Sequence, residues 1–218
     1  MSASPDTVAS PHTVSDVMTH TAVAVGRQAS YKQIVELMEQ WKVSALPVLE
    51  GEGRVIGVVS EADLLPKEEF RFDDPTCPTP SLSDAAKASA VSAEELMSSP
   101  AITVHASAAL AEAARIMARR RVKRLPVVND TGMLEGVVSR SDLLKVFLRP
   151  DEEIAEEIRH SDLPIAAKIE VSVADGVVTV GGVLPEPRLA PLLARAVRAV
   201  EGVVGIRLHL SRRPTPSA

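Results

Sequence analysis

The pattern of apolar and polar residues predicts the same set of elements twice along this chain. In the first set, apolar side chains follow helical spacing at Ile34, Leu37, Met38 and Trp41. This spacing places them on one face of a helix, and Ser30-x-x-Gln33 ahead of them has the sequence of a capping box. Two short apolar runs, 46–49 and 55–59, flank Gly51-Glu52-Gly53 and predict a β-hairpin.

The second set has the same order. Its helical stripe consists of Leu110, Ala113, Ala114 and Met117, and its turn is Asn129-Asp130-Thr131-Gly132. Each set therefore predicts a strand, a helix, two further strands and a short helix.

The two sets are copies of one sequence. Leu46-Pro47-Val48 returns 79 residues later as Leu125-Pro126-Val127, and Asp63-Leu64-Leu65 returns as Asp142-Leu143-Leu144. From residue 16 to residue 65, 17 of the 50 positions match their partners. Solenoid arrays need about three copies or more, so two copies predict a paired module. Such copies can pack about a pseudo-twofold axis and create two related clefts.

A different pattern follows residue 150. Residues 151–160 suit a helix with an acidic first turn and a basic end. Apolar residues then alternate at Ile169, Val171 and Val173 ahead of Asp175-Gly176, which is a hairpin signal. A helical stripe follows at Leu189, Leu192, Leu193, Ala196, Val197 and Val200. Gly202 is its expected C-cap, and residues 204–210 alternate as a last strand.

These patterns predict an α/β (α+β) protein: two β-α-β-β-α repeats related by a pseudo-twofold axis, followed by a small α+β unit. The predicted segments are a disordered N-terminus at 1–13, repeats at 14–66 and 93–150, a Pro/Ser/Asp/Ala-rich loop or linker at 67–92, the third unit at 151–211 and a tail at 212–218.

Composition narrows the class of protein. Aromatic residues make up 2% of the chain and the net charge is −5, so a nucleic-acid partner is not expected. No apolar run approaches the ~18 residues that cross a bilayer, and no basic region with a following apolar stretch predicts a secretory signal. The single cysteine, Cys77, forms no internal disulfide and is expected to be an inert exposed thiol. These features predict a cytoplasmic protein.

The repeated Gly-x-x-Ser-x-x-Asp element carries the candidate chemistry. It comprises Gly57, Ser60 and Asp63 in the first copy and Gly136, Ser139 and Asp142 in the second. A carboxylate at the start of a helix can accept hydrogen bonds from both hydroxyls of a ribose, and free N–H groups there attract phosphate. Ser-x-x-Asp is also the sequence of a capping box. A strand glycine serves either the close approach of a ligand or tight packing.

Residues 14–150 resemble a tandem pair of CBS domains, the module named for cystathionine β-synthase. The resemblance rests on Asp16-Val17-Met18-Thr19, Leu46-Pro47-Val48, Gly57-Val58-Val59-Ser60 and Asp63-Leu64. It implies that Ser60, Asp63, Ser139 and Asp142 contact ribose, with Gly57 and Gly136 at points of close approach. The ligand that it implies is an adenosine compound: AMP, ADP, ATP or S-adenosylmethionine. No cofactor is expected beyond this regulatory ligand.

The two copies differ in charge. The second has Lys123 and Arg124 where the first has Ser44-Ala45, and it has Arg140 where the first has Glu61. Cations near a cleft pair with phosphate oxygens, so Lys123, Arg124 and Arg140 are the phosphate candidates. Residues 119–121 are either part of this group or a solvated basic helix end. Because each cleft of a CBS pair borrows residues from both copies, the sequence does not assign these cations to one cleft.

Residues 151–211 resemble a BON domain, a small bacterial module. The resemblance rests on Ile169-x-Val171-x-Val173, the stretch from Asp175 to Gly182, and Val200-Glu201-Gly202-Val203-Val204. It implies attachment to phospholipid or to a partner protein. A protein contact is the preferred interpretation, because Arg195 and Arg198 are too few for an interfacial helix.

The sequence therefore predicts a regulatory protein that binds an adenine nucleotide between its repeats and conveys the signal through the C-terminal domain. By analogy with CBS pairs, a homodimer is expected. No metal-ligand spacing, phosphate-binding glycine loop or nucleophile motif indicates an enzyme. Two alternatives stay open: a dimerisation scaffold that binds no nucleotide, and a peripheral membrane stress protein acting through the C-terminal domain.

Overall fold

The computed structural model describes residues 12–70, 81–161, 169–184 and 186–212. They form two compact units, one of Thr13–Asp142 and one that starts at Leu143. Cys77 and most of the predicted N-terminal and C-terminal tails lie outside the described residues. Thr13, the last residue of the predicted disordered segment, belongs to the first unit, where it caps a helical turn through the Asp16 carboxylate.

The first unit contains the predicted elements in the predicted order. Its first copy consists of α1 (Val14–Val17), β1 (Val25–Gly26), α2 (Tyr31–Trp41), β2 (Ala45–Glu50), β3 (Arg54–Ser60) and α3 (Glu61–Leu64). Between the copies lie α4 (Pro66–Glu69) and α5 (Leu82–Ser89). The second copy consists of α6 (Ala93–Leu96), β4 (Val104–His105), α7 (Leu110–Arg120), β5 (Arg124–Val128), β6 (Leu134–Ser139) and α8 (Arg140–Leu144).

Both copies build the same three-stranded sheet. In the first, β1 is parallel to β2, and β2 is antiparallel to β3. The second sheet has the same order and directions. Each middle strand carries its bulge at the same repeat position, after Val48 and after Val127. The shared sequence therefore specifies even the irregularity of the sheet.

Helix α2 shows how the pattern is realised. Ser30 accepts the Gln33 N–H and the Gln33 side chain accepts the Ser30 N–H, so the predicted capping box forms. Of the residues on the predicted face, Ile34 and Met38 are buried, whereas Trp41 is 53% exposed at the end of the helix. In α7 the same holds for Ala114, which is exposed beside the buried Ala113.

The copies are related by a pseudo-twofold axis. The isolated bridges that join them include Thr19 to Val137, Val58 to Ser98 and Arg54 to Met133. Shifting the first bridge by the repeat length exchanges it with the second, and the third maps onto itself. The axis therefore passes beside Arg54 and Met133, and the segment that leads into each copy pairs with the last strand of the other.

The stretch between the copies is more regular than an irregular linker. Helix α5 occupies residues 82–89, and the Ser81 hydroxyl accepts the Asp84 N–H at 3.1 Å to cap it. Alanine is the best helix former, and residues 84–88 read Asp-Ala-Ala-Lys-Ala. The prolines that suggested a loop lie ahead of this helix.

One ion pair breaks the symmetry of the first unit. The Arg27 guanidinium makes a two-pronged contact with the Glu94 carboxylate of the other copy and also contacts Glu50. The neighbouring Glu94 raises the pKa of Arg27.

Replacing Arg27 with glutamine is expected to lower the urea midpoint slightly at low salt and not at 1 M NaCl, because exposed pairs are weak and screened. Lys42→Gln, which removes an exposed pair within one copy, is the control. A salt-independent loss would contradict this account.

The second unit is a small α+β domain. It contains a 3₁₀ turn (Lys145–Leu148), α9 (Asp151–His160), β7 (Ile169–Ala174), β8 (Val177–Leu184), a 3₁₀ turn (Pro187–Leu189), α10 (Ala190–Ala199) and β9 (Gly205–Arg212). The sheet order is β7-β8-β9, antiparallel and then parallel. The buried core comes from both helices and the middle strand: Ile154, Ile158, Val178, Val180, Leu184, Leu193 and Val197.

The Asp175-Gly176 hairpin forms as predicted, with both residues at positive φ. The Asp151 carboxylate at the start of α9 accepts both of their N–H groups at 2.8 Å, which ties the turn to the helix. Leu192, which belongs to the predicted helical stripe, is 57% exposed. Among the described helices, none is long and apolar enough to cross a membrane.

Candidate functional site

A cavity of about 280 Å³ lies between the two copies of the first unit. Its walls come from two stretches of the first copy, 44–45 and 58–63, and from two stretches of the second copy, 98–102 and 121–124. The lining residues are Ser44, Ala45, Val58, Ser60, Glu61, Ala62, Asp63, Ser98, Pro100, Ala101, Ile102, Arg121, Val122, Lys123 and Arg124. This volume is close to the lower end of the range for small-molecule sites.

The first repeated motif supplies the polar centre of this cavity. Asp63 Oδ2 accepts the Ser60 N–H at 2.8 Å and the Ser60 hydroxyl at 2.6 Å, so the Ser-x-x-Asp sequence acts as a capping box for α3. Capping fixes the serine and the carboxylate on one rim. The capping interpretation and the ligand interpretation of this motif are therefore compatible.

Asp63 has a cationic partner that the sequence did not suggest. The Lys87 ammonium of α5 forms an ion pair with Asp63 Oδ1, and the Ser98 hydroxyl approaches the same oxygen at 3.4 Å. Asp63 is 7% exposed, the one buried charged residue in the part of the chain that the structure describes. A buried carboxylate requires such compensation, because desolvation without a partner is costly.

The second copy supplies the cations. Lys123 and Arg124 both line the cavity beside the first copy's motif, together with the exposed Arg121. Arg124 Nε is buried without a hydrogen-bond partner, the one such side-chain atom among the described residues. An unsatisfied buried donor costs free energy, and an anionic ligand is one way to satisfy it. Arg124 also lines a second cavity with Glu39, Lys42 and Glu61.

Each copy holds the residues before its middle strand beside its own motif. The Glu61 N–H donates to the Ser44 carbonyl at 3.1 Å, and at the equivalent position the Arg140 N–H donates to the Lys123 carbonyl at 3.0 Å. The residues that precede each middle strand are thereby held beside the start of the short helix. Ser44 and residues 121–124 line one cavity, so these stretches lie together between the copies.

The second motif repeats the capping geometry outside this cavity. Asp142 Oδ2 accepts the Ser139 N–H at 2.9 Å and the Ser139 hydroxyl at 2.5 Å. Arg140 is exposed, and its Nη2 donates to the Val122 carbonyl at 3.0 Å. Of the predicted site residues, the structure therefore gathers Ser60, Asp63, Lys123 and Arg124 around one cavity, and it places Ser139, Arg140 and Asp142 outside the lining.

Both motif glycines are packing positions. A Cβ at Gly57 would lie 2.3 Å from Met97 Sδ, and a Cβ at Gly136 would lie 2.7 Å from the Thr19 carbonyl oxygen and 2.9 Å from Met18 Sδ. Each glycine thus makes room for the segment that leads into the other copy. Neither lines the cavity, so the structure favours tight packing over ligand approach at these positions.

Two residues of the site, Ser98 and Lys87, were missed in the sequence, and the role of a third, Arg121, was left open. Ser98 had a signal, because it occupies the repeat position of Thr19 and both are hydroxyl residues. Arg121 lay within the basic run whose role the sequence left open. Lys87 had none, because it lies outside the repeat and pairs with Asp63 only through the placement of α5.

The cavity combines a serine–carboxylate rim, three cations and an apolar wall that includes Val58, Ala62 and Ile102. Together with the pseudo-twofold packing, it defines a class of protein: a tandem α/β module with a cleft between its two copies. The CBS domain model matches residues 14–67 and 93–149, and the BON domain model matches residues 150–214. The chain belongs to the CBS-domain family, with a BON domain after the CBS pair.

Relatives of known sequence support this placement. The chain is 28% identical over 157 residues to the chloroplastic CBS domain-containing protein CBSX2 of Arabidopsis thaliana, covering 65% of this chain and 66% of that protein. It is 26% identical over 133 residues to an uncharacterised protein of Methanocaldococcus jannaschii, covering 53% of this chain and 79% of that one. The chain thus spans just under two thirds of the plant relative's length.

Solved structures show the same fold. The crystal structure of CBSX2 in complex with AMP has a TM-score of 0.55 and 28% identity, covering 63% of this chain and 97% of that one. The CBS domain pair of protein MJ0100, solved with 5′-methylthioadenosine and S-adenosyl-L-methionine, has a TM-score of 0.52 at 18% identity. It covers 63% of this chain and 97% of that one, and at this identity it shows the fold alone.

Proposed function

We propose that the CBS pair of this protein is a sensor that binds an adenine nucleotide in the cavity around Ser60. One observation carries the proposal: the cavity joins the first copy's Ser60 and Asp63 to the second copy's Lys123 and Arg124. A ribose hydroxyl suits the serine–carboxylate rim, and phosphate suits paired cations. The AMP complex of the structurally similar CBSX2 supports the same ligand class.

Ligand binding is proposed to act on the packing of the two copies. The cavity walls come from both copies, so a bound nucleotide contacts both at once. A ligand that fits one packing better than another shifts the population toward it. The BON domain then conveys this change to a partner. A partner protein is preferred over phospholipid, and this preference, the homodimer and the cytoplasmic location stay predictions.

Calorimetric titration of the full chain tests the proposal. AMP, ADP, ATP and S-adenosylmethionine are titrated separately, with thermal unfolding as a second readout, because a ligand of the folded state raises stability with concentration. At least one of them is expected to bind. No heat and no thermal shift with any of the four at millimolar concentration would overturn the proposal.

The repeat supplies a matched control for the location of the site. Asp63→Asn is expected to weaken the titration at least tenfold, since the neutral amide loses the charge-assisted bonds of the carboxylate. Asp142→Asn makes the same change in the equivalent capping box, outside this cavity, and is expected to leave the affinity within a factor of about two. If Asp142→Asn weakens binding at least tenfold and Asp63→Asn leaves it nearly unchanged, the nucleotide binds at the second motif.

A further inference from the structure

We propose that Lys87 sets the charge preference of the cavity, so that it selects anionic adenine nucleotides over neutral or cationic adenosine compounds. The inference rests on the proposed function and adds the class of ligand to it. It assigns a role to α5, a helix that belongs to neither repeat.

The position of Lys87 is unusual for a residue near a ligand site. Its ammonium pairs with Asp63 Oδ1, yet Lys87 does not line the cavity, whereas Asp63 does. The side chains of the pair are 19% and 10% exposed, so solvent screens the interaction only partly. Lys87 therefore acts on the cavity through the carboxylate that it compensates.

Both oxygens of Asp63 already have protein partners. One oxygen accepts two hydrogen bonds from Ser60, and the other pairs with the Lys87 ammonium, while the Ser98 hydroxyl lies farther from it at 3.4 Å. A carboxylate offers about four lone-pair sites, so Oδ1 keeps one for a ribose hydroxyl. The negative charge is thus matched by a cation before any ligand arrives, and Asp63 is held in one orientation.

The consequence is a positive cavity. Once Lys87 offsets Asp63, the remaining charged lining residues are Glu61 against Arg121, Lys123 and Arg124. Without Lys87, an uncompensated carboxylate would stand in the wall and oppose the binding of phosphate. In a partly desolvated site, one unit of charge changes the affinity several-fold for each charge on the ligand.

The pairing of Lys87 with the motif carboxylate is not repeated by the sequence of the second copy. Lys87 lies between the copies, and the residue 79 positions later is Ala166, beyond the paired repeats. The charge selection is therefore a property of the cavity around Ser60 and not of the fold in general. This places the ligand preference of the protein in the segment that the repeats do not share.

Three ligands that share adenosine but differ in charge test the inference. AMP is a dianion near pH 7.5, adenosine is neutral, and S-adenosylmethionine carries a net positive charge. Each is titrated by calorimetry into the full-length wild type and Lys87→Met. The wild type is expected to bind AMP better than S-adenosylmethionine, and Lys87→Met to lower this affinity ratio at least tenfold. Adenosine reports any change in geometry, since charge does not affect it.

Two variants act as controls. Lys67→Met removes a lysine that donates to the Ala88 carbonyl of α5 at 2.8 Å, so it loosens the same helix without changing a contact of Asp63. Its ratio of AMP affinity to S-adenosylmethionine affinity is expected to match that of the wild type. Lys87→Arg keeps the positive charge and is therefore expected to keep the ratio of AMP affinity to S-adenosylmethionine affinity. Lys87→Gln, which can still donate to Asp63, substitutes for Lys87→Met if the latter does not fold.

The outcomes separate this inference from the proposed function. If none of AMP, ADP, ATP and S-adenosylmethionine binds the wild type, the nucleotide-sensing proposal fails and this inference fails with it. If AMP binds but removing the Lys87 charge leaves the ratio of AMP to S-adenosylmethionine affinity unchanged, the inference alone is overturned. The same result would follow if the ligand occupied the other motif.

Discussion

Replacing Gly136 with alanine is expected to destabilise the Thr13–Asp142 unit by about 2 kcal/mol. The new methyl group would lie 2.7 Å from the Thr19 carbonyl oxygen, an atom that accepts the Val137 N–H at 3.0 Å across the two copies. Relief requires the backbone to move and this bridge to lengthen. Urea unfolding followed by fluorescence measures the loss, because the single tryptophan, Trp41, lies in this unit.

The equivalent glycine offers the matched comparison. At Gly57 the two nearest atoms are Met97 Sδ and Cγ, which a rotamer change can move, while Met97 Cβ stays at 3.0 Å, so Gly57→Ala is expected to cost about half as much. In a double-mutant cycle, Met97→Ala should restore much of the stability lost in Gly57→Ala. Met18→Ala should not restore the stability lost in Gly136→Ala, since the Thr19 carbonyl stays in place. Equal recovery at both sites would contradict the assigned contacts.

Replacing Arg124 with methionine is expected to weaken AMP binding about tenfold to a hundredfold, the loss of about 1.5–3 kcal/mol that a hydrogen bond to a charged group contributes. The stability of the free protein should change by less than about 0.5 kcal/mol, because the buried Arg124 Nε has no partner to lose and methionine keeps the apolar stem. Calorimetry and urea unfolding measure the two effects separately.

Arg119→Met is the control for this change. Arg119 lies in the last turn of α7, in the same basic run, but it does not line the cavity. Its replacement should leave AMP affinity within a factor of about two. If both variants weaken binding equally, the general charge of the run matters and the contact at Arg124 does not. A large loss of stability in Arg124→Met would show that the Arg124 side chain supports the fold.

These predictions separate the two functions of the repeated motif. Its glycines join the copies, since each faces the segment that leads into the other copy. Its serine and carboxylate cap a short helix and, in the first copy, face a cavity. The fold therefore explains why one short sequence serves packing and presents polar groups at the same time. It also explains why stability and binding can be changed independently.

The local pattern of the chain predicted most of the fold. The Ser30 capping box, the turn at residues 51–53 and the Asp175-Gly176 hairpin all form, because they depend on neighbours in sequence. What the helical spacing did not determine is the exposure of single side chains. Trp41 and Leu192 have the right spacing yet remain exposed, because burial depends on which element covers a helix. Helix α5 was missed because the prolines at residues 75, 78 and 80 led all of residues 67–92 to be interpreted as a loop or linker.

By itself, the sequence determined the paired module, its elements and the serine, aspartate and basic residues from which a site could form, since these follow from periodicity, capping and repetition. Only the tertiary structure decided that Lys123 and Arg124 share a cavity with Ser60 and Asp63. It alone also decided that Lys87 compensates the carboxylate. The physical reason is that these contacts join residues far apart in the chain, and their distances depend on how the copies and α5 pack.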